Sequence, residues 1–216
     1  MNEPPFWPID FKFIMVRGLL YALFMGGVAH IAYIEALHLP STRFTELGFT
    51  EFAQTLVLLI CCTTLIYIRQ KLKVWPAVTL LLLAFLAASL VREQDHFLDA
   101  YVAKHTWKIL VLLIVVPSCV WVIKRRQLFL DEFACYSNTF AFGLFTAGVL
   151  TNYIFSRLFG RAELWKTVLA DRYIREFKNT IEEAIELLGY GLILIGILEL
   201  LLLARRINRQ ANDIAD

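Results

Sequence analysis

The chain reads as an all-α integral membrane bundle of six transmembrane helices, with an interfacial amphipathic helix before the last. Three observations predict this. Hydrophobic residues make up 59% of the 216 residues and charged residues only 19%, and the mean hydropathy is +0.63. Nearly uncharged runs of about 18 or more residues follow one another, long enough to cross a bilayer as helices. The cations gather beside those runs, as membrane topology asks of them. A soluble fold cannot hide this much apolar surface, because each of its helices keeps a polar face. One transmembrane domain is expected over residues 1–216, with the lipid bilayer as its first partner. The formal charge of +2 is too small for a nucleic-acid footprint.

The opening MNEPPFWPIDFKF lacks the basic start of a signal peptide, so the first span is expected to be retained. Pro4, Pro5 and Pro8 with Phe6 and Trp7 suit a short extended arm at the interface. Span 1 covers roughly residues 14–37. Ala22, Gly26 and Ala29 offer small residues at helical spacing for close helix contact, and Pro40 ends the helix. Span 2, roughly 49–68, follows a link carrying Glu46 and opens with Glu51 and Gln54. An acid at a helix start is favoured by the exposed amides, which explains Glu46 better than the deeper Glu51 and Gln54. Span 3, roughly 75–91, begins with Pro76 at a position that a helix start tolerates.

A polar stretch, residues 92–108, separates spans 3 and 4. It holds Glu93, Asp95 and Asp99, His96 and His105, and Arg92, Lys104 and Lys108. Asp95 and Asp99 share a face if the stretch is helical. Span 4, roughly 106–123, starts with Trp107-Lys108 and carries Pro117, which should kink it. Span 5, roughly 133–155, is the most polar inside, so it should sit among other helices, with Gly143 and Ala147 as a small-residue contact. Over 161–178, Trp165, Leu169, Tyr173 and Phe177 recur every four residues while most of the cations fall on other faces. That is the pattern of a surface helix, or alternatively of an outward extension of span 6. Span 6, roughly 181–204, opens with Glu182, Glu183 and Glu186 and carries a lone Glu199. The cysteines, all inside apolar runs without a C-x-x-C pair, read as buried small hydrophobes.

Six spans place both termini on the side with the tight clusters 69–73, 124–126 and 205–209. Both termini are therefore expected in the cytoplasm. The opposite ends then gather His30, Glu35 and His38, Glu51 and Gln54, residues 92–108, Asn152 and Arg157, and the three glutamates of span 6. Every histidine of the chain lies on that side.

Ionised groups in spans are costly at about 2.5–3.5 kcal/mol each at the bilayer centre, and so are functional candidates by default. Asp95, Asp99, His105 and Glu186 are the expected acid/base groups. Glu51, His96 and Glu182 are the expected ligands of a divalent metal, and Arg92 and Lys108 the expected holders of an anionic headgroup. Carboxylate with imidazole suits zinc, iron or manganese. The competing account gives the same acids to helix N-termini and to ion pairs with Arg92 and Lys104. His30 and His38, eight apart on one helix, read as interface histidines rather than haem ligands, and nothing near Ser89 resembles a nucleophile elbow.

The Arg92-Glu93-x-Asp95-x-x-x-Asp99 run before a span headed Trp107-Lys108, and the Glu182-Glu183-x-x-Glu186-Leu opening of the last span, resemble a pattern in uncharacterised bacterial inner-membrane proteins. A more distant similarity is to the membrane hydrolase superfamily of the alkaline ceramidases. That likeness implies a zinc site built from several spans, where a pair of histidines four apart stands in the last of seven spans; here that span offers glutamates.

Two functions stand closest. One is a metal-assisted hydrolase or transferase acting on a lipid or lipid-linked substrate at the outer face. The other is a non-catalytic assembly or sensor subunit, whose acids serve packing and partner contacts. A proton-coupled transporter comes third, because the polar groups sit at one face and no internal repeat is present.

Overall fold

The computed structural model describes residues 11–38 and 49–215. The N-terminal arm, the link with Glu46 and residue 216 lie outside it. So do the side chains of Glu35, Ala36, His38, His96, Glu176, Asn212, Ile214 and Ala215. Ten α-helices follow in order: α1 (Phe11–His38), α2 (Phe49–Tyr67), α3 (Pro76–Glu93), α4 (Asp95–Tyr101), α5 (Thr106–Lys124), α6 (Arg126–Ser137), α7 (Phe140–Leu150), α8 (Ser156–Phe159), α9 (Ala162–Leu169) and α10 (Arg175–Ala215). A wider, π-helical turn continues α2 over Ile68–Leu72, and another joins α7 to α8 over Thr151–Phe155. Five helical segments are long and apolar enough to cross a membrane, six if α6 and the α7–α8 rod make one broken span.

The fifth span is where the expectation needs correction. A single helix over 133–155 is absent; the chain bends by 92° between Ser137 and Phe140. The cause is local chemistry. Asn138 turns its side-chain amide back onto the Ala134 carbonyl at 3.2 Å, and the Ser137 hydroxyl does the same at 3.1 Å. The Thr139 hydroxyl then accepts the Phe142 N–H at 3.2 Å, capping a new helix. The surface helix is likewise shorter than expected: α9 ends at Leu169, a 3₁₀ turn follows over Ala170–Arg172, and α10 already begins at Arg175.

The described chain forms two compact units, residues 1–54 with 146–193 and residues 55–145 with 194–216. In the first, α1 presents a half-buried stripe of Ile14, Arg17, Tyr21, Met25, Val28 and Ala32. Met25 fills the space over Gly191 of α10, where an added Cβ would meet its sulfur at 2.5 Å. The expected small-residue contact of span 1 is therefore replaced, since nothing stands within 4 Å of a Cβ at Gly26. The same correction holds in span 5. A Cβ at Gly143 would meet nothing, whereas one at Gly148 would lie 2.7 Å from the Gly189 carbonyl oxygen. Gly148 and Gly189 thus let two helix backbones touch, the packing that lipid favours between helices.

In the second unit the core is one stripe per helix: Leu58, Cys61, Leu65 and Ile68; Val78, Leu82, Leu86 and Ser89; Ile197, Leu200 and Ala204. Here α3 lies along α5 and also meets α6. α5 is scarcely buried, and its exposed Ile109, Leu112, Leu113, Val116, Val120 and Ile123 give it the apolar surface that a lipid-facing helix needs. The turn into α3 is strained, with Lys73 at φ 54° and Trp75 at φ 46°, a region that non-glycine residues seldom occupy. No side chain at Trp75 can cap α3. The cap comes from α6 instead. Glu132 Oε2 accepts the N–H groups of Ala77 at 2.7 Å and Val78 at 2.9 Å. The Arg69 guanidinium donates to the Pro76 carbonyl and stacks, with Arg125, over the Trp121 ring at 5.1 and 4.6 Å.

Two outcomes follow for thermal unfolding in detergent. Gly148→Ala and Gly189→Ala should each cost about 1–3 kcal/mol, because a backbone rather than a side-chain tip must give way, and Gly143→Ala should be silent. Glu132→Ala leaves two amides uncapped and should cost about 1–3 kcal/mol, with Glu132→Gln recovering part of the loss.

Candidate functional site

The polar stretch of residues 92–108 folds as the end of α3, the short α4 and the turn into α5. Asp95 and Asp99 lie one turn apart on α4 and both are exposed. Asp99 Oδ1 accepts the backbone N–H of His105 at 2.8 Å. That hydrogen bond holds His105 at φ 68°, just where α5 starts. The His105 imidazole is exposed, and its contact with Asp99 runs through the main chain, not the ring. Arg92 pairs with its neighbour Glu93 at 2.9 Å. The Lys108 ammonium sits 5.5 Å from the Trp107 ring, a cation–π contact suited to a membrane interface. His96 belongs to α4, with its side chain outside the described residues.

The first unit does gather polar side chains from three segments. Glu182 and Glu186, one turn apart on α10, both face Arg157 of α8, at 3.4 and 3.3 Å. Lys178 closes on the other oxygen of Glu182 at 3.0 Å. The Ser156 hydroxyl reaches Glu186 Oε1 at 3.4 Å and also bonds the Asn152 carbonyl. Asn152 Nδ2 points to the Glu186 carbonyl at 3.5 Å, and Gln54 of α2 donates to the Glu183 carbonyl at 3.4 Å. Asn152 and Ser156 are fully buried and Glu186 is 9% exposed.

Sequence chemistry explains why these groups meet. The Thr151 and Ser156 hydroxyls serve the carbonyls of Ala147 and Asn152, so the helix can widen into a π-helical turn. Such turns recur at functional sites. Gly189 leaves room for Asn152, since a Cβ there would lie 2.7 Å from the Asn152 Cβ. Gly160 does the same for the Glu182 carboxyl group, at 2.5 Å.

Of the expected site residues, then, Glu182 and Glu186 come together, around a cation. Asp99 serves the α5 start, and Asp95 and His105 stand exposed. Glu51 is half-buried in the first turn of α2. Among the described residues, no three of His, Cys, Asp and Glu form a group able to hold a metal ion. Of the expected metal ligands, Glu51 and Glu182 lie on α2 and α10, and the His96 side chain is outside the described residues.

Sequence reasoning passed over Ser156 and Glu132. The first was legible in principle, because Asn152 and Ser156 repeat the four-residue spacing of Glu182 and Glu186. The second was not, because its partners lie 54 and 55 residues away.

The fold and this cluster define a multi-pass α-helical membrane protein with a buried polar site among its spans. No family model, curated protein or solved structure matches the chain.

Substitution should separate the two polar regions. Asp95→Ala should leave thermal stability in detergent unchanged. Asp99→Ala, which removes one accepted hydrogen bond, should cost about 1 kcal/mol. Arg157→Leu should be the most damaging of the three, because it removes the cation that Glu182 and Glu186 share.

Proposed function

We propose that the protein is a non-catalytic subunit of a membrane assembly or sensor in the bacterial inner membrane, with both termini in the cytoplasm. One observation carries this reading: Asp99 and Glu186, with Glu93 and Glu182 beside them, each face a group of the chain itself. Glu93 is held by Arg92, Asp99 by the His105 amide, and Glu182 and Glu186 by Arg157 and Lys178. Arg157 with Glu182 and Glu186 ties α8 to α10, and Asp99 ties α4 to the start of α5. The tight cation clusters beside the short loops support the orientation. The Arg92-Glu93-x-Asp95 and Glu182-Glu183-x-x-Glu186 runs support kinship with polytopic inner-membrane proteins.

A second reading, a hydrolase or transferase acting on a lipid or lipid-linked substrate, is favoured by a different observation. The Ser156 hydroxyl touches Glu186 beside the half-exposed Arg157, so a hydroxyl, a carboxylate and a cation able to meet a phosphate stand together.

Native mass spectrometry of the chain, tagged at its own locus and extracted in mild detergent, tests the subunit reading, with elemental analysis of the same sample. The expected result is a complex of fixed stoichiometry whose formation survives Asp95→Ala and His105→Ala. A lone chain carrying one equivalent of zinc, iron or manganese, lost on those substitutions, would overturn it.

A further inference from the structure

The geometry points to the Asn152–Ser156–Glu186 cluster as a binding site for a small monovalent cation of sodium size, held by oxygen atoms alone. The argument starts from an imbalance of hydrogen-bonding groups. Asn152 is fully buried, and its Oδ1 has no hydrogen-bond partner among the described residues. A buried amide oxygen left unpaired costs about 1–3 kcal/mol, so such atoms are retained where something meets them. One turn on, the buried Ser156 hydroxyl has a single proton but two acceptors within reach, the Asn152 carbonyl and Glu186 Oε1. If its proton goes to the carbonyl, the contact with Glu186 sets oxygen lone pairs against a carboxylate. Beside the Glu186 carboxylate, the Asn152 carboxamide oxygen and the Ser156 hydroxyl thus have fewer donors than acceptor lone pairs, and a cation makes up the deficit.

The donor set also selects the cation. Hard oxygen ligands without sulfur or imidazole suit alkali and alkaline-earth ions over zinc or copper. One carboxylate with two neutral oxygens supplies the charge for a monovalent ion. The setting agrees, because interrupted transmembrane helices are where freed carbonyls and polar side chains hold sodium in membrane proteins. The π-helical turn Thr151–Phe155 is such an interruption.

Arg157 is the competitor. Its contacts to Glu182 and Glu186, 3.4 and 3.3 Å, exceed the roughly 2.7–2.9 Å of a strong charge-assisted hydrogen bond, and its side chain is 51% exposed. The guanidinium can therefore leave Glu186 when a cation arrives and stay with Glu182. Cation occupancy and the Arg157–Glu186 pair exclude each other.

The test is thermal unfolding of the purified full chain in detergent, titrated with sodium, potassium or choline chloride at constant ionic strength, together with calorimetric titration of sodium. Sodium should raise the melting temperature saturably, potassium less, and choline not at all. Ser156→Ala and Asn152→Leu should each weaken the apparent sodium affinity about tenfold or more, and Arg157→Gln should tighten it. If Asn152→Leu does not fold, Ser156→Ala and the wild-type calorimetry decide. Stability that follows ionic strength whatever the cation, absence of binding heat with sodium, a response to calcium or magnesium but not sodium, or a sodium response undiminished in Ser156→Ala would each overturn the site.

Discussion

An amide without a partner in a bilayer costs several kcal/mol, and there is no water to take the place of the missing bond. The fold follows from that constraint. At three helix starts a side chain supplies the acceptor: Glu132 for α3, Asp99 for α5, and Thr139 for α7. The Ser156 hydroxyl does the reciprocal job for a carbonyl at the π-helical turn. The polar residues within and beside the apolar runs are thus largely accounted for by the backbone they serve. Among the acids of residues 92–108, Asp99 serves the backbone and Glu93 meets Arg92.

Charge and shape cooperate in the first unit. Gly148 and Gly189 bring backbones into contact, which places Asn152 against α10, and Gly160 clears space for the Glu182 carboxyl group. A larger residue at any of these positions would push the polar groups apart before their chemistry came into question. The site therefore rests on glycines that carry no functional group. Lipid offers little hydrophobic drive between helices, so close packing of this kind supplies much of the cohesion.

Much of this was legible in the sequence. Uncharged runs located the first four spans to within a few residues, because length and hydropathy set them. The spacing of Glu182 and Glu186 placed both on one face of α10, and the structure has them share Arg157. The bend at Asn138-Thr139 was hidden, because Ser, Asn and Thr inside an apolar run read equally as polar residues of a continuous helix or as caps of two. The small-residue contacts were misplaced for a related reason. Gly26 and Gly143 have small residues four positions away, whereas Gly148 stands between Leu144 and Asn152, so spacing favoured the glycines that face no neighbour. The fate of Asp99 could not be read at all, since its partner is a main-chain N–H and leaves no mark on residue identity.

The reach of Glu132 has a consequence for biosynthesis. The turn it clamps, with Lys73 and Trp75 in the left-handed region, leaves the ribosome more than fifty residues before the carboxyl group that caps it. A nascent hairpin of α2 and α3 must therefore enter the translocon with its connecting corner unsealed, and it settles only once α6 has been made. Translation order thus leaves an early interval in which this corner depends on headgroups or water for its amides, and the arrival of one glutamate ends it.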